Sequence, residues 1–334
     1  MISVKIIGTG LYAPGDPIDN TTLKELAQID FDAEKMETKI GIYQRHIAKF
    51  RNINETTADF ATKAATNAIN DAGIDAREVG LFIVATDTPE FITPATAILV
   101  QGRIQQGEQW AMSFDVAASC ASFTMAFDTA TSILNSNPLI KYAVVTGVYN
   151  MPAFIRPGDK FSYPIFADGA AAFVLKKDET ANSYIGSQMF TDGTQWDFIG
   201  IYAGGAKNPV TRQTLDENKH GLLSLQPLPG DRNVRLWPMI VERILGNYQT
   251  SPDEINHYIF TQINKSVIEK VMDAIKQPLE KAHFVMDKYG YTGSACVPMA
   301  FHEGVKSGKI KRGDKVLFVA SGAGLSVGSN LFVY

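Results

Sequence analysis

Apolar and polar residues follow two spacings along the chain: short β-branched runs and longer stretches with helical spacing. The run LFIVATD at 81–87 predicts a buried strand, and the alanine-rich segment 57–72 before it predicts a helix. Short strands and helices continue to alternate as far as residue 334. This alternation predicts an α/β fold with buried sheets.

The order of the predicted elements occurs twice. In the first half, LFIVATD, FDVAASCASFTMAFDTATSIL, YAVVTGVY and FADGAAAFVLK follow one another as strand, helix, strand and strand. In the second half, HYIFTQI, YGYTGSACVPMAFHEGVKSG, KVLFVASGAG and SVGSNLFVY repeat that order. We interpret this as two similar halves, 1–178 and 179–334, joined near residues 176–184. Any α/β protein alternates in a comparable way, so the order alone does not prove a duplication.

Residues 193–238 break the pattern, because they are rich in Gly, Pro, Asn and other polar residues. We predict a long insertion with little regular structure. Segments of this kind form lids or binding surfaces as often as plain surface insertions, and the sequence leaves both interpretations open.

Charge and cysteine content narrow the class of protein. The 334 residues include 31 Lys and Arg against 35 Asp and Glu, a net charge of -4, which does not indicate a nucleic-acid or anionic-membrane surface. The opening MISVKIIGTGLYAPG lacks the features of a targeting peptide, and no apolar run has the length of a membrane span. Cys120 and Cys296 stand outside any zinc-like CxxC motif, so we expect free thiols, no metal and a reducing cytoplasm.

Cys120 is the candidate nucleophile. It lies among small residues between SFDV, a predicted short buried strand, and an apolar helix. A thiol at a helix start faces unpaired backbone N–H groups and the positive end of the helix dipole, which favours the thiolate. A thiolate accepts acyl groups from other thioesters. The alternative is a buried cysteine that packs as a small hydrophobe, and local chemistry leaves both interpretations open.

Four strings in order along the chain resemble the β-ketoacyl-ACP synthase III family. They are KIGIYQRHIA at 39–48, DVAASCASF around Cys120, FADGAAAFVL at 166–175 and SGKIKRGDKVLFVASGAGLSVGSNLFVY at 307–334. The resemblance implies a thiolase-like α/β fold, a duplicated α-β-α-β-α five-layer sandwich with two mixed five-stranded sheets. It also implies a homodimer, with Cys120 carrying the acyl group at the base of a pantetheine tunnel.

The resemblance places two unusual residues beside that cysteine. Family members have a histidine in a Pro-His-Gln-Ala-Asn string and an asparagine in a Gly-Asn-Thr-Ser string, where this chain reads FTQIN and GYTG. Thr261 and Tyr291 therefore take the two positions. In the family both residues donate hydrogen bonds to the malonyl thioester during decarboxylative condensation, and each such donor contributes about 3–4 kcal/mol. Thr261 cannot shuttle a proton near neutral pH, so standard malonyl condensation is in doubt.

Acylation of the cysteine is less affected by these differences. In the family, backbone N–H groups at the cysteine and at a C-terminal glycine cluster bind the thioester oxygen. The cluster here is SGAG, which places Ala323 at the donating position. Self-acylation of Cys120 is therefore expected to remain possible.

The expected substrate entrance also departs from the family pattern. Lys35 stands for a tryptophan that stacks on the adenine of coenzyme A, and Lys39 stands for an arginine. Pro238 replaces a glycine whose N–H meets the pantetheine arm, whereas Asn264 is retained. The resemblance thus implies weaker coenzyme A binding and favours a carrier-protein donor.

We therefore expect a cytoplasmic acyltransferase that forms an acyl thioester on Cys120. The acyl group would pass to a carbon nucleophile in a specialised condensation, or to oxygen, nitrogen or sulfur, in fatty-acid, polyketide or secondary-metabolite synthesis. Acyl-CoA or acyl carrier protein would supply the thioester, with no cofactor. The alternative is a non-catalytic partner subunit of a complete condensing enzyme, in a heterodimer with a paralogue.

Overall fold

The protein is described by a computed structural model over residues 4–178 and 183–334. Within these ranges the strands are β1 (Val4–Tyr12), β2 (Ile18–Asp19), β3 (Gln44–Arg45), β4 (Val79–Ala85), β5 (Met112–Val116), β6 (Tyr142–Asn150), β7 (Asp168–Lys177), β8 (Tyr184–Thr191), β9 (Ile199–Gly200), β10 (Leu223–Ser224), β11 (His257–Phe260), β12 (Lys315–Gly322) and β13 (Ser326–Val333). The α-helices in the same ranges are α1 (Asn20–Ala27), α2 (Ala33–Lys35), α3 (Thr57–Ala72), α4 (Thr96–Gln105), α5 (Ser122–Ser136), α6 (Arg212–Asp216), α7 (Arg232–Asn247), α8 (Lys265–Ala274), α9 (Met286–Tyr289) and α10 (Cys296–Lys306).

Two mixed sheets form the framework. The first has the order β1-β7-β6-β4-β5, with β4 parallel to both β5 and β6, and β7 antiparallel to β1 and β6. The second has the order β8-β13-β12-β11, with β11 parallel to β12 and β13 antiparallel to its two neighbours. The first four strands of each sheet therefore repeat the same connectivity. The predicted boundary between the halves falls at residues 179–182, outside the described residues, and stays a prediction.

Over residues 4–178 and 183–334 the second sheet has four strands and no counterpart of β5, so the prediction of two five-stranded sheets is wrong for this half. A single parallel bridge between Tyr258 and Ala282 stands where a fifth strand would run. Beyond it, the Gln262 side-chain amide donates to the carbonyl of His283 at 2.9 Å and accepts from the amide of Val285 at 2.9 Å. The two bonds therefore occupy backbone groups of residues 283–285, which could otherwise form a fifth strand.

Helices complete the five layers. α5 and α10 lie between the two sheets, where an aromatic cluster of Phe127, Phe173 and Phe318 joins both sheets to α5. α3 covers the outer face of the first sheet, because its alanines permit close packing; a Cβ on Gly10 of β1 would lie 2.2 Å from a carbonyl oxygen of α3. α7 packs on the second sheet and on α8. The predicted α-β-α-β-α sandwich is confirmed.

The predicted insertion, residues 193–238, overlaps the start of a long helix. Its first part contains short elements such as the pair β9 and β10, but residues 232–238 belong to α7. Sequence reasoning missed this helix start because Pro238 lies inside the helix, where the ring forgoes one intrahelical hydrogen bond. Burial of one face, including Trp237 and Ile244, holds the helix in place.

β5 is not the buried strand that the sequence predicts. It is the edge of the first sheet, and its residues are half-buried or exposed in the single chain. No helix in the described ranges combines the length and apolar character that a membrane crossing requires.

Candidate active site

The carboxyl ends of parallel strands from both sheets meet at one cavity. Asp87 follows β4, Cys120 follows β5 and Tyr149 lies near the end of β6. From the second sheet, Thr261 follows β11 and Ala323 follows β12. All five residues line a cavity of about 380 Å³. The edge where parallel strands end is a common place for ligand sites in α/β proteins.

The cavity wall is largely apolar and comes in part from the insertion. Trp196, Ile199, Ile201, Leu222 and Leu228, all between residues 193 and 231, line it. Of the two interpretations left open by the sequence, the structure favours a binding segment over an idle surface insertion.

A close backbone approach holds Cys120 in place. Ser119 has a φ of 50°, in the left-handed region, and turns the chain from β5 towards α5. The turn closes when Ser122 Oγ accepts from the amide of Ala118 at 2.8 Å. A Cβ on Gly322 would lie 2.6 Å from the carbonyl oxygen of Ala118 and 2.7 Å from the amide nitrogen of Cys120. Only glycine at position 322 lets the end of β12 lie against the cysteine.

Two opposing effects act on the Cys120 thiol, the positive end of the α5 dipole and burial. Burial, followed by the negative charge of Asp87, raises its pKa to about 12, although hydrogen bonds with Tyr291, Ser119 and Tyr149 oppose the shift. The helix dipole is worth a fraction of a kcal/mol to about 2 kcal/mol, which is less than desolvation of a buried anion. Burial therefore opposes the thiolate that the helix start favours, and the protonation state of Cys120 stays a prediction, while the residue itself lines the cavity.

Hydroxyl donors surround the sulfur. Burial raises the pKa values of Tyr149 and Tyr291 well above the ordinary range, so both phenols stay protonated, and both residues line the cavity with Cys120. The Tyr149 ring has its position because Gly293 has no side chain; a Cβ there would lie 2.3 Å from the ring. Thr261 Oγ accepts from the amide of Ser321 at 2.9 Å, and its own proton is left to donate.

Two charged side chains also reach this group. Asp87 Oδ2 accepts a hydrogen bond of 2.8 Å from Ser119 Oγ, and burial raises the pKa of its carboxyl. Arg232, at the start of α7, lines the cavity, and burial lowers its pKa while Cys120 and Tyr291 act in the opposite direction. Neither residue was a sequence-based candidate.

The structure brings together four of the predicted residues and leaves four elsewhere. Cys120, Thr261, Tyr291 and Ala323 line the cavity. The four that do not line it are Lys35, Lys39, Pro238 and Asn264. The assignment of Thr261 and Tyr291 to the family's histidine and asparagine positions stays a prediction.

The four outlying residues lie on two parts of the surface. Lys35 and Lys39 are exposed in and just after α2, and the 36–40 turn that carries Lys39 packs against α8. Asn264 caps α8 by accepting from the amide of Ser266 at 3.0 Å. Pro238 is half-buried within α7, where it supplies no N–H to a ligand. Their role in substrate binding stays a prediction.

No histidine takes part in the cavity over the described ranges. His257 and His283 hydrogen-bond each other, with 2.9 Å between ring nitrogens, and His257 lies 3.0 Å from Asp314. Cys296 is buried, and its sulfur accepts from the amide of Gln262 at 3.4 Å, in agreement with a packing role.

Asp87 and Tyr149 show what motif reasoning overlooked. Each lies at or just beyond the end of a parallel strand that the hydrophobic pattern already predicts. The shared edge of β4, β5 and β6 was the available signal, because residues after neighbouring parallel strands converge there. Arg232 had no such signal, since its helix start lay within the predicted insertion.

Fold and site together define a thiolase-like protein with a cysteine-lined cavity. The family model described as 3-oxoacyl-[acyl-carrier-protein (ACP)] synthase III matches residues 114–193, and the corresponding C-terminal model matches residues 245–334. The chain belongs to the 3-oxoacyl-ACP synthase III family of acyl-transferring condensing enzymes.

Individual relatives extend over the whole chain. A beta-ketoacyl-[acyl-carrier-protein] synthase III from Aliarcobacter butzleri is 32% identical, with 100% of this chain and 98% of the relative covered. The crystal structure of 3-oxoacyl-[acyl-carrier-protein] synthase III from Aquifex aeolicus has a TM-score of 0.86 at 30% identity, covering 99% and 100% of the two chains. The priming beta-ketosynthase of the R1128 polyketide pathway shares the fold, with a TM-score of 0.86, 24% identity and coverage of 99% and 96%.

Proposed function

We propose that Cys120 accepts an acyl group from an acyl-CoA or acyl carrier protein thioester and passes it to an acceptor. The observation that carries the proposal is the cavity itself, which Cys120 lines together with Tyr149 and Tyr291. Thioester exchange between sulfurs is a suitable first step, because it forms a covalent intermediate that a second nucleophile can attack.

Uncharged hydroxyl groups at the cavity wall can donate hydrogen bonds to the oxygen of that thioester. The phenols of Tyr149 and Tyr291 remain protonated, and Thr261 keeps a hydroxyl proton at the cavity wall. Preorganised donors stabilise the negative charge that develops on a thioester oxygen, and each contributes about 3–4 kcal/mol. The approach of Gly322 to the Cys120 amide supports a further backbone donor at Ala323.

The acceptor is proposed to differ from the malonyl group of the standard reaction. No histidine lines the cavity over the described ranges, which removes the usual proton shuttle of decarboxylative condensation. Either a specialised condensation or acyl transfer to oxygen, nitrogen or sulfur fits the remaining groups. The reaction would serve fatty-acid, polyketide or secondary-metabolite synthesis in the cytoplasm, where free cysteines such as Cys120 persist.

Acyl carrier protein is the preferred donor. The names of the Aliarcobacter and Aquifex relatives include acyl carrier protein. The turn that carries the exposed Lys39 packs on α8, where Lys265 lies 3.7 Å from Glu269. Surface lysines of this kind attract acidic carriers and phosphates. Lys35 offers no aromatic ring on which the adenine of coenzyme A could stack, and this supports a carrier protein over free coenzyme A as the donor.

Acylation of Cys120 is tested by intact mass spectrometry. The purified chain is incubated with acetyl, octanoyl and dodecanoyl thioesters of coenzyme A and of acyl carrier protein. The expected result is a mass increase of one acyl group that is lost in Cys120→Ala and kept in Cys296→Ala, the matched control. Absence of any adduct from all donors would contradict the proposal. An adduct that appears only with a co-purified paralogue would identify a partner subunit instead.

A further inference from the structure

Ser119 lies between the nucleophilic sulfur and a buried carboxylate. Its Oγ donates to Asp87 Oδ2 at 2.8 Å and lies 3.7 Å from Cys120 Sγ, within reach of a weak thiol hydrogen bond. The left-handed backbone of Ser119 directs the chain into this turn. The three side chains therefore form a chain of contacts from the Cys120 sulfur through the Ser119 hydroxyl to the Asp87 carboxylate.

The carboxylate has an unfilled position. Asp87 Oδ1 is buried and has no hydrogen-bond partner within the described part of the chain, although Asp87 lines the cavity. A buried unpaired carboxylate oxygen costs about 1–3 kcal/mol, and more when it is charged. A buried carboxylate beside a nucleophile is a candidate for proton transfer.

The resting thiol needs a base. With a pKa of about 12, Cys120 holds its proton at neutral pH, and the groups that face it are Asp87, Tyr149, Tyr291, Arg232 and Cys296. The two phenols are protonated, the guanidinium has no acceptor and Cys296 is itself a buried thiol. Asp87 is the one facing group that accepts a proton.

We propose that Asp87 takes the Cys120 proton through Ser119, so that a serine–carboxylate relay replaces the imidazole of the family. This inference rests on the proposed acyl transfer at Cys120. Asp87 and Ser119 would act by moving one proton, while Tyr149 and Tyr291 stabilise the oxygen of the thioester.

The proton balance of the first half-reaction is closed. Cys120 Sγ gives its proton to Ser119 Oγ as Ser119 gives its own to Asp87 Oδ2. The thiolate attacks the thioester carbonyl of the donor, a new C–S bond forms, and the bond from that carbon to the donor sulfur breaks. The departing sulfur takes the proton back along the same path, which restores the Asp87 carboxylate.

If Asp87 acted only through its negative charge, it would slow the reactions of Cys120, whereas a proton relay would speed them. Its negative charge raises the pKa of Cys120, so a carboxylate without a relay would only suppress the thiolate. Removing the charge would then lower the pKa of the thiol and speed its reactions at neutral pH. A relay predicts that the same change slows them.

The test measures alkylation of Cys120 by iodoacetamide, followed by intact mass between pH 6.5 and 9.5. The relay predicts that Asp87→Asn lowers the rate at pH 7.5 at least tenfold and makes the rate rise more steeply with pH. Ser119→Ala keeps the charge but cuts the path, and the same loss is expected. Asp75→Asn, an exposed turn cap, is the control and should react as the wild type does.

A faster or unchanged rate in Asp87→Asn would overturn the proposal, as would an unchanged rate in Ser119→Ala. Circular dichroism and melting temperature establish that each variant is folded, and Ser119→Ala serves if Asp87→Asn fails to fold. Iodoacetamide needs no acyl donor, so failure of the relay is separate from failure of the proposed function, which is read from acyl adducts.

Discussion

At the residue scale, the site depends on contacts that leave no room for a methyl group. Gly322 approaches the backbone of the cysteine turn closely enough that a Cβ would meet three main-chain atoms at 2.6–2.9 Å. Main-chain atoms cannot rotate away as a flexible side chain can, so a larger residue must separate β12 from the turn.

Gly322→Ala should therefore impair both stability and acylation. We expect a loss of about 1–3 kcal/mol from overpacking and at least a tenfold slower acylation of Cys120, measured by thermal melting and intact mass. Gly102→Ala is the matched control, because its Cβ would project into open space on α4 and should raise stability by up to about 1 kcal/mol. Wild-type acylation in Gly322→Ala would contradict the importance of this contact.

The nucleophile and its neighbours differ in how far the sequence predicts them. Cys120, Thr261 and Tyr291 line one cavity, and the resemblance supplies their order and spacing along the chain. The pKa of Cys120 is not accessible from the sequence, since burial and the charge of Asp87 depend on contacts between residues 32 or more positions apart. Tyr149 belongs to no motif, and only its place at the end of β6 indicates it.

At the element scale, the insertion decides the shape of the cavity. Its residues Ile199, Ile201 and Leu222 line the cavity although the segment contains little regular structure. Most of the remaining lining comes from residues at or just after strand ends and from the start of α7, which the fold holds in place. The insertion is therefore the part of the wall where substitutions change size without disturbing the sheets.

Ile201→Trp is expected to narrow the cavity and shift acyl selectivity. Acylation by a dodecanoyl donor should fall at least tenfold relative to wild type, while an acetyl donor should be affected less than threefold. Competition between the two donors, read by intact mass, measures the shift. Val210→Trp introduces the same bulk in the same segment at a side chain that is 59% exposed, and should leave the ratio unchanged. Equal losses for both donors would indicate misfolding of the wall.

The elements show where hydrophobic patterns are sufficient. β4, α3, β6 and β13 were predicted from their own periodicity, because each buries a face or a full strand. The missing fifth strand of the second sheet and the start of α7 were not. In both cases a tertiary contact overrides local preference: Gln262 binds the chain after Ala282, and burial of Trp237 sustains a helix through Pro238.

At the scale of the whole molecule, one edge of the first sheet is available for association. β5 pairs with β4 on one side, and the other side has no neighbouring strand within the described ranges. Met112 on this strand and Trp110 before it are exposed. An unpaired strand with exposed apolar residues is suited to pairing with a second chain, which supports the homodimer that the family resemblance implies.

Trp110→Asp combined with Met112→Asp should weaken that dimer. We expect the wild type to sediment at twice the chain mass at micromolar concentration and the double variant to shift towards the monomer by at least tenfold in Kd. Leu139→Asp alters a side chain that is 91% exposed outside this edge, and is the control. A monomeric wild type, or a double variant that associates normally, would contradict an interface at β5.

The protonated sulfur also bears on how the protein survives between turnovers. Peroxides and stray electrophiles react with thiolates far faster than with thiols. Because burial and the charge of Asp87 raise the pKa of Cys120, the sulfur is mainly a thiol at neutral pH. A cysteine kept in this form resists sulfenic acid formation while the cavity is idle.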